Sequence, residues 1–223
     1  MFRLLFSFLL FAVPGSAQEL THVNFSGGAT VSSFAFTTDQ KVIIKISEDG
    51  KVLEWGTEWE NWRYNYQPGK LLPYMGRVSY YGLEGDSTWK GKVKSVGTTF
   101  FTYYPSSEEA TKAGKLRSVG NLILDYYSNF ENAAFKGKLR SAGSNLFTYY
   151  SSFENTAFLG KLKSVNSSTI TYYSTFDDKA IKGKIKSIAS VNFEWYPSYD
   201  TRYSGLKTGQ VINRINGISY IIL

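Results

Sequence analysis

The apolar and polar positions of this chain recur with a period of 23 residues, without slippage, in frames that open at Gly91, Gly114, Gly137, Gly160 and Gly183. Each unit begins with a stretch such as Lys115-Leu116-Arg117-Ser118-Val119, where basic and apolar residues alternate as in a half-exposed strand. Small residues follow, at Gly97-Thr98, Gly120-Asn121, Gly143-Ser144, Asn166-Ser167 and Ala189-Ser190, and suit a tight hairpin turn. A second strand then runs to an aromatic pair: Tyr103-Tyr104, Tyr126-Tyr127, Tyr149-Tyr150, Tyr172-Tyr173 and Trp195-Tyr196. A two-residue turn sets Val119 opposite Leu122, Arg117 opposite Leu124 and Lys115 opposite Tyr126. Long basic stems then cover ring faces while their heads stay in water.

The unit closes with a connection in which Ser128 with Glu131, Ser151 with Glu154 and Ser174 with Asp177 fit a capping box. So short a segment makes a marginal helix, so a wide loop is expected ahead of a single helical turn. Phe130, Phe153, Phe176 and Tyr199 are expected to tuck this connection against the sheet. A fixed period over several units marks one small supersecondary unit stacked on its own copies. The fold class predicted is all-β, with tandem antiparallel β-hairpin repeats forming an elongated or curled meander sheet.

Residues 18–90 read as the same design worn down into degenerate, capping units. Val42 to Ile46 is a strand, Asp49-Gly50 a hairpin turn, and Lys51 to Trp55 the returning strand. Tyr80-Tyr81 lies one period before Tyr103-Tyr104, which makes 69–90 a sixth unit. The organisation expected is a signal peptide at 1–17, this N-terminal region at 18–90, five repeats at 91–204 and C-terminal capping strands at 205–223. Ile215 to Leu223 reads as a final buried strand. A membrane barrel needs strands of about 9–11 residues with an outward apolar face, and these are shorter and carry Lys.

At the start of the chain, Arg3 precedes the short apolar run Leu4 to Val13, and Gly15-Ser16-Ala17 supplies small residues before a cut at Gln18. The run is too short for the ~20 residues that span a bilayer. This leader resembles those of Gram-negative secreted proteins. It predicts a secreted, periplasmic or cell-surface product with no transmembrane segment after leader removal.

Composition narrows the chemistry. There are no cysteines, so packing and strand pairing must hold a secreted chain without disulfides. The formal charge of +7 favours anionic partners, though the lysines are spread through the repeats as on a solvated face. Nucleic acid is not expected as a partner of a secreted chain. With His22 the only histidine, zinc sites and Ser-His-Asp catalysis have no basis. No phosphate-binding glycine motif is present. Glu54, Glu58 and Glu60 are the clustered carboxylates of the kind a glycosidase requires. The acids at one unit position, Glu108, Glu131, Glu154, Asp177 and Asp200, read as caps or ion-pair partners rather than calcium ligands. The expectation is a non-enzyme with no metal and no cofactor.

Trp55, Trp59, Trp62, Tyr64 and Tyr66 form the candidate binding surface, since flat rings on a rigid sheet can stack on sugars or anchor a protein. The same rings could instead seal the end of the array. Period and two-strand unit are similar to MORN repeats, to choline-binding and clostridial-toxin sugar-binding repeats, and to the single-layer sheet of spirochaete outer surface protein A. Only the Tyr-Tyr end of the choline-binding pattern matches, over 91–204, so the likeness is architectural and carries no residues across. The function expected is a structural or protein-binding scaffold at the cell envelope, its partner an envelope protein or a surface glycan. A carbohydrate or cell-wall binding module using aromatic ladders is the alternative.

Overall fold

A computed structural model of the chain describes residues 18–59 and 67–223. The expected leader at 1–17 lies outside the described residues. In chain order the strands are β1 (Glu19–Ser26), β2 (Thr30–Thr37), β3 (Ile43–Ile46), β4 (Val52–Glu58), β5 (Leu71–Pro73), β6 (Val78–Tyr80), β7 (Val93–Val96), β8 (Thr99–Tyr103), β9 (Leu116–Val119) and β10 (Leu122–Tyr126). They continue as β11 (Leu139–Ala142), β12 (Asn145–Tyr149), β13 (Leu162–Val165), β14 (Ser168–Tyr172), β15 (Ile185–Ile188), β16 (Val191–Asn192), β17 (Glu194–Trp195), β18 (Leu206–Thr208), β19 (Ile212–Ile215) and β20 (Ile218–Ile222).

The repeats form one 11-stranded antiparallel meander from β6 to β16, each strand paired with its chain neighbours. Two-residue turns join the hairpins, with Val119 opposite Leu122 and Val165 opposite Ser168 as predicted. The strict alternation expected of the first strand is corrected. Leu116 and Val119 are three apart, yet both are fully buried. A bulge reconciles them: Tyr103 pairs with Leu116 and Thr102 with Ser118, so Arg117 is the extra residue. Lys94, Arg140, Lys163 and Lys186 are the extra residue in their own units.

The bulge builds two cation–ring ladders. Lys115 lies 5.1 Å from the centroid of Tyr126, as expected, while Arg117 stands 5.8 Å from Tyr104 in the preceding unit instead of over Leu124. Each contact of this kind is worth about 0.5–1 kcal/mol at an exposed site.

Strands β1 to β5 do not continue the array as worn-down copies, which corrects that part of the expectation. β1 to β5 join β20 and β19 in a separate 7-stranded sheet, ordered β19-β20-β1-β2-β3-β4-β5, with β1 and β20 parallel. This sheet covers the apolar face of the meander, and Phe34 meets Phe147 with ring centroids 4.6 Å apart. The protein is therefore a two-layer sandwich and not a single-layer sheet.

Backbone contacts fix the crossing. The Gln18 side chain accepts from the Asn121 N–H at 3.1 Å, and beyond the other end of β1 the Gly28 carbonyl accepts from Ile185 at 2.7 Å. β1 thus runs obliquely across almost three units. The Glu48 and Gly50 carbonyls accept from Leu139 and Leu116 at 2.7 and 3.2 Å. Turns of the covering sheet so satisfy N–H groups left open where first strands of the meander begin.

Candidate functional site

Three surfaces offer binding chemistry, and the described members of the expected aromatic cluster, Trp55 and Trp59, are split between two of them. Trp55 is half-buried on β4 and faces the meander. Trp59, just past β4, borders a small cavity of about 180 Å³ on the opposite face of that sheet, with His22, Lys45, Glu58 and Lys70. Lys70 lies 4.8 Å from the Trp59 ring centroid. Residues four apart share a face of a regular strand, but β4 ends at Glu58, so its alternation does not extend to Trp59. Trp62, Tyr64 and Tyr66, with Glu60, lie outside the described residues. Glu54 is bound to Lys45 at 2.7 Å, and Glu58 lies 3.7 Å from His22. Burial is the largest influence on His22 and holds its pKa below the usual 6.5, with Lys45 acting in the same direction and Glu58 opposing.

The second surface is a cleft of about 800 Å³ where the turn at Asp49–Leu53 and Trp55 overhang the first units of the meander. Its walls carry Trp55, Leu53, Tyr80 and Tyr103, with Lys51, Lys92 and Lys115 as cations. Lys92 and Lys115 hold equivalent places in successive units. Each ammonium donates to a carbonyl of the next unit, Gly114 and Gly137, and lies 4.9 and 5.1 Å from the rings of Tyr103 and Tyr126. Burial lowers the pKa of both lysines.

The third surface is the edge formed by the connections. Phe130, Phe153, Phe176 and Tyr199 are 98, 91, 95 and 82 % exposed, which corrects the expectation that they tuck the loop down. The residue five positions further on does that work. Phe135 packs 4.7 Å from Tyr127 and Phe158 4.6 Å from Tyr150, while Trp89 lies 5.4 Å from Tyr81.

These loops are tied to one another. Asn155 Oδ1 accepts from Ala157 N–H at 3.0 Å and from Thr175 N–H in the next unit at 3.2 Å. Asn132 and Asp178 repeat the arrangement with Ala134 and Ser152, and with Ala180 and Ser198. Short 3-10 turns occur at Ser87–Trp89 and Thr156–Phe158, capped by Asp86 and Asn155. The Ser151 N–H to Glu154 bond of the expected capping box is present at 2.7 Å, but the true cap is Asn155, four residues beyond Ser151. The exposed rings therefore stand on a bonded edge, roughly 10 Å apart because each unit advances two strand spacings.

Among the described residues no group of three His, Cys, Asp or Glu could hold a metal. Nor, among those residues, is any helix long and apolar enough to cross a membrane. Comparison with known proteins finds no matching family model, no matching curated protein and no matching solved structure.

Proposed function

We propose that the protein is an exported, non-catalytic scaffold that holds an elongated partner protein along its repeat edge at the cell envelope. The observation that carries this reading is the row Phe130, Phe153, Phe176 and Tyr199, almost fully exposed on loops cross-linked by Asn132, Asn155 and Asp178. Burying a phenylalanine is worth about 1.5–3 kcal/mol, and the fold gains none of that here. A rigid comb of rings adds little to folding and suits recognition, since aromatic anchors dominate binding energetics. Its order is paid in advance by the loop bonds, which lowers the cost of docking.

The test replaces Phe130, Phe153 and Phe176 together by Ser. Chemical cross-linking in the native envelope followed by purification is expected to recover a defined protein with the wild type and to lose it with the triple variant. Equal recovery with a variant whose melting temperature is unchanged overturns the reading.

A further inference from the structure

The row of lysines that lines the cleft beneath Trp55 supplies, just outside it, an internal precedent for the cleft's ligand. Lys138 is the third member of the row that begins with Lys92 and Lys115. Its ammonium donates to the Gly160 carbonyl at 2.6 Å, as its counterparts do to Gly114 and Gly137, and it lies 5.0 Å from the Tyr149 ring. At this one position a carboxylate completes the arrangement, with Glu48 Oε2 2.9 Å away on the covering sheet. The same three-sided setting is open at Lys92 and Lys115, where the covering sheet gives way to the cleft.

The acids nearest those two lysines are engaged elsewhere. Asp49, beside Lys115, is bonded to Ser47 and lies 2.9 Å from Lys51. Asp86, near Lys92, accepts from Thr88 at 2.9 Å and from Ser106 at 2.7 Å. Neither lysine has an ion-pair partner within 4.0 Å among the described residues.

We propose that the cleft binds a linear acidic oligosaccharide, with Lys92 and Lys115 each receiving one carboxylate as Lys138 receives Glu48, and with Trp55 and Tyr80 packing on the sugars between. The two ammonium groups stand one unit apart, roughly 10 Å by strand spacing. That is about the length of a disaccharide in an extended chain, so the match is to a polymer with one acid group on every second sugar. The cleft volume of about 800 Å³ suits a short segment of such a chain. Tyr80 and Leu53 are about half exposed on its walls and offer flat apolar surface to the C–H faces of sugar rings. Both ammonium groups are already oriented by a carbonyl and a ring, so little side-chain freedom is lost on binding. The site is separate from the ring comb and does not depend on the reading of that edge.

Calorimetry with the full mature chain tests it, using a hyaluronan hexasaccharide as probe. A neutral β-1,4-glucan hexasaccharide and a sulfated, carboxylate-free hexasaccharide serve as the other arms. Binding to the carboxylated probe is expected, with Lys92→Gln and Lys115→Gln each weakening it about tenfold, the loss of one charge-assisted bond. Tyr80→Ala, on the cleft wall, weakens it too. Lys138→Gln, whose partner is internal, leaves affinity unchanged, as does the triple substitution at Phe130, Phe153 and Phe176. Equal affinity for the neutral glucan, binding of the sulfated chain alone, or full affinity in a folded Lys92→Gln/Lys115→Gln double variant each overturns the proposal.

Discussion

The Tyr126 hydroxyl donates to the Leu116 carbonyl at 2.6 Å, ten residues back in its own unit. Tyr103 and Tyr172 do the same to Val93 and Leu162 at 3.0 and 2.9 Å, and the Trp195 indole reaches Ile185 at 2.7 Å. Tyr149 breaks the series, for its buried hydroxyl has no hydrogen-bond partner among the described residues. The expected outcome is an asymmetry. Tyr126→Phe leaves a buried carbonyl without that donor and costs about 1 kcal/mol or more, whereas Tyr149→Phe is neutral or stabilising. Urea unfolding of the two variants side by side measures it.

The turn between β15 and β16 holds Ala189 at a φ of 50°, where the equivalent residue in three other units is glycine. A left-handed conformation costs an alanine about 1–2 kcal/mol, partly offset in a glycine variant by the freer unfolded chain. Ala189→Gly is expected to stabilise the protein by about 0.5–1 kcal/mol. Chemical denaturation should show the higher midpoint at unchanged slope.

His22 gives the stability a pH dependence that one substitution can isolate, since it is the only histidine. Its folded pKa lies below the ordinary 6.5, chiefly because burial penalises the charged form. The unfolded chain therefore takes up a proton first as pH falls through about 6.5, and the folded state is disfavoured. Stability contributed by neutral His22 is fully present above that value and declines below it until the folded group also protonates. His22→Gln is expected to flatten the difference between melts at pH 7.5 and pH 5.5.

Asn155 holds two units together through bonds to Ala157 and Thr175. Asn155→Ala is expected to cost about 1 kcal/mol, as for the loss of a cap. Amide exchange should quicken at Ala157 and Thr175 while the strand interiors of β12 and β14 stay protected. A uniform acceleration across the meander would point to a global effect and contradict a local clamp.

Much of the meander could be read in the chain because its determinants are local. The turn residues and the spacing from Val119 to Leu122 are properties of one hairpin, and the aromatic pairs mark where it ends. Even the bulge left a trace, since Leu116 and Val119 cannot share a face of a regular strand three residues apart. The covering sheet left none. The Val42–Ile46 and Lys51–Trp55 hairpin carries a correct turn signal, but nothing local says which sheet it joins. Within the connections, Phe130 and Phe135 are the same residue type five apart, and only the path of the loop over Tyr127 decides which is buried. The cleft was hidden for the same reason, because it exists only where two sheets of different width overlap.

The slant of β1 across the array bears on how the gene can change. Its contacts at Asn121 and Ile185 are set by the length of a strand that has no periodicity of its own. Tandem arrays ordinarily gain or shed modules by in-frame recombination. Here an extra module inserted between those anchor points would leave a bare hairpin, and a missing one would leave the cover overhanging solvent. Copy number in this chain is locked by a layer that does not repeat.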